Sequence, residues 1–352
     1  MSRSSGAIEM PPVAISVIVP THNRLEILQE TIRRLLEQDS APQGHELVVV
    51  DDRSEDGSYE WLVHEGEASP CLRAMRSRSA GRAAARNTGV ASARGEVICF
   101  LDDDMWVGPG FLRAHWRAHR ETRPRPIAAV GKMRPWPGNE PTVANRAYDR
   151  RLARIDTGMA GFPGALPCNY LCTGNVSLPR ALFDAGPAFD EGFPGYSFED
   201  TDLGYRLAER GVELRYVAEA CAEHRTSTTV GDLLRKQSEA GRSAVYLLRK
   251  HPQAASRLGV PFEIPGVPTT CRHDSLPKAI AKAIAFHGLT GGLLEALLWG
   301  AAAVRAGRLA DRLLQYASYH RYGRAYRQAA RELAAARSEA KEVCDHSHGR
   351  AD

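Results

Sequence analysis

Residues 97–106 read Val-Ile-Cys-Phe-Leu-Asp-Asp-Asp-Met-Trp. Five apolar residues are too few for a buried helix, so this run predicts a strand that is buried on both faces and ends in acids. Because successive strand side chains point to opposite faces, we expect Asp102 and Asp104 on one side and Asp103 on the other. Two converging carboxylates suit a hard divalent ion, Mg²⁺ or Mn²⁺. The alternative is that the acids only solvate the strand end and begin a turn.

Two earlier segments repeat this pattern of an apolar run that ends in polar residues. Residues 15–19 form an apolar strand that should stop at Pro20, and residues 47–50 form a second strand that Asp51 and Asp52 follow. Helical spacing of leucine and isoleucine after the first strand predicts a helix that packs on the sheet. The sequence therefore predicts an α/β fold with a central, mostly parallel sheet flanked by helices. Ligands of such sheets bind at the carboxyl ends of the strands.

The segment 79–89, Ser-Ala-Gly-Arg-Ala-Ala-Ala-Arg-Asn-Thr-Gly, favours a helix with small side chains against the sheet. Arg82 and Arg86 recur four residues apart on one face of that helix. Their guanidinium groups suit a phosphate or a base carbonyl, and the alternative is an ordinary solvated face. Asp51 is interpreted as a turn cap, and Asn23 and Asn87 have the alternative of only fixing loops.

In the second half of the chain, residues 106–120 should be a helix whose aromatic and histidine stripe belongs to the core. Short strands are expected at 127–130, 171–178 and 214–217, with loose segments at 135–141 and 155–170 and with His224 on a loop after the last strand. Glu199 and Asp200 begin a further helix, whose dipole would hold them ionised as a base requires. They can also be plain helix caps.

The composition is that of an ordinary globular protein. The 352 residues are 43% hydrophobic and 25% charged, and the net charge of +4 is too small to indicate a nucleic-acid partner. Seven cysteines without a repeated spacing favour a reducing compartment, and no secretory signal is visible in the first twelve residues, so we expect a cytoplasmic protein. Charged residues make 279–304 a poor membrane span. Basic amphipathic helices after residue 231 suit peripheral contact with the inner face of a membrane, or packing on the rest of the protein.

Four stretches together resemble the family 2 glycosyltransferases of GT-A fold. They are Ser-Val-Ile-Val-Pro-Thr-His-Asn-Arg (16–24), Val-Val-Val-Asp-Asp-Arg-Ser-Glu-Asp-Gly-Ser (48–58), Gly-Arg-Ala-Ala-Ala-Arg-Asn-Thr-Gly (81–89) and Phe-Leu-Asp-Asp-Asp (100–104). Four motifs in the family's order are far more specific than a lone Asp-X-Asp. The chain departs from the family at Phe198, where glycine is frequent, and at Ser79, where asparagine is common.

The resemblance implies a nucleoside-diphosphate sugar donor, a hydroxyl acceptor and a bound Mn²⁺ or Mg²⁺. Asp52 would accept a hydrogen bond from the nucleobase, Asp102 would contact the ribose, and Asp200 would take the proton of the acceptor while Glu199 orients it. The implied site residues are, for catalysis, Asp200 and Glu199; for the donor nucleotide, Pro20, Thr21, Asn23, Arg24, Asp52, Arg86, Asp102 and Asp103; for the donor sugar, Gly174 and Asn175; and for the metal, Asp104, Asp102 and His224.

The function expected on this basis is that of an inverting, metal-dependent hexosyltransferase that favours a UDP-sugar. The acceptor is a glycan, a lipid-linked glycan or a small natural product. Two alternatives stay open, a catalytically silent sugar- or nucleotide-binding protein of the same fold and a sugar nucleotidyltransferase. The expected organisation is a disordered leader (1–12), a nucleotide-binding half (13–105), an acceptor-binding half (106–230), a helical region (231–340) and a disordered tail (341–352).

Overall fold

The computed structural model describes residues 13–38, 44–186, 188–255, 291–303 and 307–348. The predicted leader and the basic residues Lys278, Lys282 and Arg305 lie outside this part of the chain. The described residues divide into two compact units. The first takes its residues from 1–139, 151–191 and 203–226, and the second from 140–150, 192–202 and 227–352.

The first unit contains one sheet of eight strands. Their bounds are β1 Ile15–Thr21, β2 His45–Asp51, β3 Leu72–Arg76, β4 Val97–Leu101, β5 Met105–Val107, β6 Ile127–Pro135, β7 Asn175–Pro179 and β8 Glu213–His224. The order across the sheet is β3-β2-β1-β4-β7-β6-β8-β5. The first four strands in that order are mutually parallel, β7 is antiparallel to both of its neighbours, β6 and β8 are parallel, and β5 is antiparallel to β8.

The helices of the chain are bounded as follows: α1 Leu25–Leu36, α2 Ser58–Ala68, α3 Arg82–Ser92, α4 Phe111–Glu121, α5 Val143–Ala160, α6 Glu199–Glu209, α7 Val230–Lys250, α8 Gly291–Ala303 and α9 Gly307–His348. Alternate residues of the central strands enter two separate cores. Val17 and Val19 pack with Leu28 and Ile32 of α1, whereas Ile18 packs with Ala85 of α3. The sheet is therefore covered on both faces, and the apolar strands of the first half are confirmed.

Several predicted bounds differ from the structure because strand pairing extends beyond the apolar runs. β1 continues through Pro20 to Thr21, which lies opposite Asp51 of β2. β8 does not stop at residue 217. The register between β6 and β8 shifts after Gly131, so that residues 218–220 have no partner in β6 and the ladder resumes as far as His224. His224 is thus the last residue of a strand and does not lie on a loop.

Other differences concern elements that apolar spacing does not reveal. Strand β3 and helix α5 were not predicted, and α5 occupies residues 155–160, which the sequence suggested were loose. Residues 105–107 form a strand and the following helix begins only at Phe111. Residues 171–174 precede β7 instead of belonging to it.

The described part of the second unit is largely helical. Thr229 caps α7 by accepting the amide hydrogen of Asp232, and the Asp232 side chain bonds back to the Thr229 backbone. Helix α9 continues to His348, so residues 341–348, predicted as part of a disordered tail, are helical. No described helix has the length and apolar character needed to cross a membrane.

Candidate active site

The three acids of residues 102–104 lie on a turn, because β4 ends at Leu101. Arg24 donates to Asp103 at 2.9 Å and to Asp104 at 2.6 Å, and the hydroxyl of Thr21 donates to Asp103 at 2.8 Å. Asp103 and Asp104 therefore share one cation, and the prediction that Asp103 faces away from Asp104 is wrong. Strand alternation does not apply once the chain has turned.

Asp103 anchors this turn within the protein. Its side chain is buried, and burial is the main reason that its pKa rises to about 6, with the charge of Asp104 adding to it and that of Arg24 opposing it. The two carboxylates in turn raise the pKa of Arg24 above its ordinary value. A buried carboxylate with two donors, Thr21 of β1 and Arg24 of the following loop, fixes the acid turn against the end of β1. The contact of Asp103 with a nucleotide stays a prediction.

Asp102 has a separate partner. Arg86 is only 3% exposed and donates to Asp102 at 2.9 Å, which excludes the solvated-face alternative for this arginine, whereas Arg82 is exposed. The amide of Asp102 donates to the carbonyl of Gly174, and a Cβ on Gly174 would come within 3.2 Å of the Asp102 carboxylate. The glycine thus permits a close approach of the two segments at this point.

Asp52 follows β2 and holds a neighbouring loop. One oxygen, Oδ2, accepts the amide hydrogen of Gly81 at 2.8 Å, and the amide of Asp52 itself donates to the carbonyl of Thr21. The other oxygen, Oδ1, is buried and accepts no hydrogen bond from the described residues. A buried carboxylate oxygen without a donor is unfavourable, so this atom is suited to a donor that a ligand brings.

Three other polar residues, Asp51, Asn23 and Asn87, have structural roles. Asp51 caps a turn by accepting the amide hydrogen of Ser54, as the sequence suggested. Asn23 has a positive φ of 51° and accepts the amide hydrogen of Glu55, which fits its loop-fixing alternative. Asn87 similarly exchanges two hydrogen bonds with the backbone of Phe189.

Asp104 also faces His224, with 3.5 Å between Oδ1 and Nε2. Both side chains are buried, and Nδ1 of His224 lies 2.9 Å from the hydroxyl of Thr226, which orients the ring. No three His, Cys, Asp or Glu side chains converge as metal ligands among the described residues, and Asp102 is bonded to Arg86 instead. A carboxylate and an imidazole fit a divalent ion as a pair, since other ligand positions of such ions are commonly filled by substrate oxygens and water.

A buried polar network underlies the start of β7. Asn175 donates to the carbonyls of Lys132 and Ala220 and lies 2.9 Å from Nε2 of His115. The Asn175 side chain is thus fully buried and bonded within the protein, and the contact of residues 174–175 with a donor sugar stays a prediction. His119 lies 2.8 Å from the hydroxyl of Ser177. Burial lowers the pKa of His115 to about 4 and that of His119 to about 3, in accord with their assignment to the core.

Glu199 and Asp200 begin α6, as predicted, and both fall in the second unit. Asp200 accepts the amide hydrogen of Thr201 at 2.7 Å. The two residues before the pair, Ser197 and Phe198, have φ values of 81° and 77°. Phe198 therefore keeps the left-handed backbone that a glycine adopts easily, and such strain is frequent beside functional residues.

Asp202, which no sequence pattern singled out, is fully buried one turn into α6. Its carboxylate accepts from Lys250 at 2.6 Å and lies 3.0 Å from Nε2 of His251. Lys250 is the last residue of α7, and His251 follows it. The cluster of Asp202, Lys250 and His251 fixes the first turn of α6, and only the unusual density of acids in Glu-Asp-Thr-Asp hinted at it.

A family model described as Glycosyl transferase family 2 matches residues 16–182. The chain is 33% identical over 246 residues to glycosyltransferase AglE of Haloferax volcanii, covering 66% of this chain and 73% of that protein. It is 29% identical over 231 residues to validoxylamine A glucosyltransferase of Streptomyces hygroscopicus subsp. limoneus, covering 59% of this chain. The match spans about half, 51%, of that relative's own length.

Among solved structures, the chain is similar to the mannosyltransferase PcManGT from Pyrobaculum calidifontis in complex with GDP-Man and Mn²⁺. The TM-score is 0.54 at 18% identity, over 88% of each chain. At this identity the likeness is one of fold.

Proposed function

The chain belongs to glycosyl transferase family 2, and from this membership we propose that it transfers a sugar from a nucleoside-diphosphate sugar to a hydroxyl group, with inversion at the anomeric carbon. The likeness to the mannosyltransferase confirms the GT-A fold that the motifs implied. Relatives and neighbours named as glucosyltransferase and mannosyltransferase support a hexose as the transferred sugar. The proposed acceptor is the one expected from the sequence, a glycan, a lipid-linked glycan or a small natural product. The proposed location is the cytoplasm, with peripheral membrane contact.

The observation that carries this proposal is the unsatisfied oxygen of Asp52. Its Oδ2 is fixed by Gly81, so Oδ1 is held in place without a donor from the residues that the structure describes. The imino N–H of uracil, thymine or guanine supplies the missing hydrogen bond, whereas adenine and cytosine have no such N–H. We propose uridine diphosphate as the leaving group, with the thymidine and guanosine diphosphates as the other candidates.

Asp104 and His224 are the residues that would hold a Mn²⁺ or Mg²⁺ ion. Such an ion, when bound, supplies positive charge that stabilises the departing diphosphate. Arg24 contributes positive charge of its own next to Asp104. The ion pair with Asp103 keeps Arg24 in place whether or not Asp104 binds a metal ion.

Asp200 is the proposed general base. It removes the proton of the acceptor hydroxyl as that oxygen attacks the anomeric carbon, and the bond from this carbon to the diphosphate oxygen breaks with its electron pair on the leaving group. The amide groups at the start of α6 favour the ionised carboxylate. Glu199 is the proposed group that orients the acceptor. Asp202 acts through the helix, because its bonds to Lys250 and His251 hold the first turn of α6.

Nucleotide binding tests the donor site. We expect UDP or GDP to raise the melting temperature of the protein in the presence of Mn²⁺, with a smaller shift in the presence of a chelator. Asp52→Asn should weaken binding of that nucleotide about tenfold, the effect of one hydrogen bond to a charged group. Glu55→Gln removes an exposed carboxylate of the same loop and serves as the control. Equal binding by Asp52→Asn and wild type would contradict the assignment.

The rate of turnover tests the role of Asp200 as the general base. Release of nucleoside diphosphate from a panel of nucleotide sugars can be followed with water as the acceptor. Asp200→Asn should lose ~10²–10⁴ in rate, the usual contribution of a positioned base, while nucleotide binding is retained. Glu209→Gln, in the last turn of the same helix, is the control. If the wild type binds the nucleotide but shows no turnover, the alternative of a catalytically silent sugar- or nucleotide-binding protein is favoured.

A further inference from the structure

A cavity of about 470 Å³ lies in the second unit among α7, α8 and α9. Its lining includes Arg235, Ser238 and Arg242 of α7, Glu295 and Trp299 of α8, and Arg321 of α9. The volume falls within the ~300–1,000 Å³ typical of small-molecule sites. None of the residues proposed for the donor or for the base lines it.

The three arginines of the cavity differ in their partners. Arg321 makes a two-pronged ion pair with Glu295, at 2.5 and 2.6 Å. Arg235 bonds to Glu239 at 2.7 Å. Arg242 has no hydrogen bond, ion pair or ring contact in the described part of the chain. The wall of the cavity thus carries a guanidinium group whose donors are all available to a ligand.

The remaining lining groups suit a sugar. Trp299 is 52% exposed and presents an apolar ring face with an N–H at its edge. The hydroxyl of Ser238 donates to the carbonyl of Leu234, and both oxygens of Glu295 accept from Arg321. Their remaining lone pairs can accept hydrogen bonds from sugar hydroxyl groups. A planar guanidinium matches a carboxylate or phosphate with two parallel hydrogen bonds. A ligand that fits this lining has an anionic group that binds Arg242 and a sugar ring that packs against Trp299.

We propose that this cavity binds an anionic saccharide, with its carboxylate or phosphate on Arg242 and its ring against Trp299. The proposal goes beyond transfer from a nucleotide sugar, because binding here needs neither donor nor metal. The second unit would then have its own role, the recognition of an anionic saccharide.

Isothermal titration calorimetry with trigalacturonate as the anionic probe and maltotriose as the neutral one tests the site. We expect saturable binding of trigalacturonate and at least tenfold weaker binding of maltotriose, because only the former carries the charge that Arg242 recognises. Arg242→Gln and Trp299→Ala should each weaken trigalacturonate binding by about tenfold. Arg249→Gln changes an exposed arginine of the same helix that does not line the cavity, and should have no effect.

Three results would overturn the proposal: no saturable binding of trigalacturonate, equal binding by Arg242→Gln and wild type, or equal binding of maltotriose. Melting curves of each variant establish that it is folded, which is expected because both side chains are exposed. Asp52→Asn should bind trigalacturonate as the wild type does. A failure of the donor site is thereby distinguished from a failure of the cavity.

Discussion

The buried histidines beneath β7 make the stability of the first unit depend on pH. Burial lowers the pKa of His115 from 6.5 to about 4 and that of His119 from 6.5 to about 3, so both rings stay neutral in the folded protein over most of the acid range. The unfolded chain binds protons at both rings below pH 6.5. Their contribution is therefore fully present above pH 6.5 and is lost as the pH falls toward 4.

The magnitude follows from proton linkage. Each histidine that is protonated only in the unfolded state lowers the free energy of unfolding by about 1.4 kcal/mol per pH unit. At pH 5 the loss is about 2 kcal/mol for each ring, and about 4 kcal/mol for the pair. His119→Gln keeps a side chain that can bond to Ser177 but removes one titrating group, so the slope should fall by about 1.4 kcal/mol per pH unit.

Urea unfolding between pH 7 and pH 4.5 measures this slope for wild type and variants. His64→Gln is the matched control, since the His64 side chain is 85% exposed. Subtracting the wild-type curve removes the carboxylates that titrate in every variant. An unchanged slope in His119→Gln, or an equal change in His64→Gln, would refute the reasoning.

Asp202→Asn, Gly131→Ala and Thr229→Ala test an ion pair, packing and capping by the unfolding free energy, with Gly292→Ala and Thr229→Ser as controls. Asp202→Asn should lose about 3 kcal/mol, near the lower end for a broken buried pair because Lys250 is 31% exposed, and a loss below about 1 kcal/mol would contradict this. Gly131→Ala should lose ~1–3 kcal/mol, since the new methyl group overlaps the Asn175 side chain and the Ala220 carbonyl. By contrast, Gly292 lies in a helix, and a methyl group there meets only open space among the described residues, so Gly292→Ala should be neutral or stabilising. Equal losses for Gly131→Ala and Gly292→Ala would refute the packing argument. Thr229→Ala should lose about 1 kcal/mol and Thr229→Ser much less, because serine keeps the cap; equal losses would exclude capping as the cause.

Local patterns were sufficient for the strand that precedes the three acids and for the helix that begins with Glu199 and Asp200. The apolar run before Asp102 predicted a strand buried on both faces, and β4 is that strand. Glu199 and Asp200 were predicted to begin a helix, and α6 begins at Glu199. These signals work because burial on a sheet or along one helix face requires a periodicity that the chain itself displays.

The partners of the acids were decided only by the tertiary structure. The sequence did not indicate that Arg24 joins Asp103 to Asp104, because the turn after β4 replaced the alternation of a strand. It did not indicate that Asp202 meets Lys250, 48 residues further along the chain, or that Asn175 is enclosed by carbonyls of β6 and β8.

The enclosure of Asn175 depends on the register of β6 with β8, which shifts after Gly131. Residue periodicity determines which face of an element is buried. The identity of the group opposite a buried carboxylate depends on strand order, register and loop path, which are fixed only when distant segments pair.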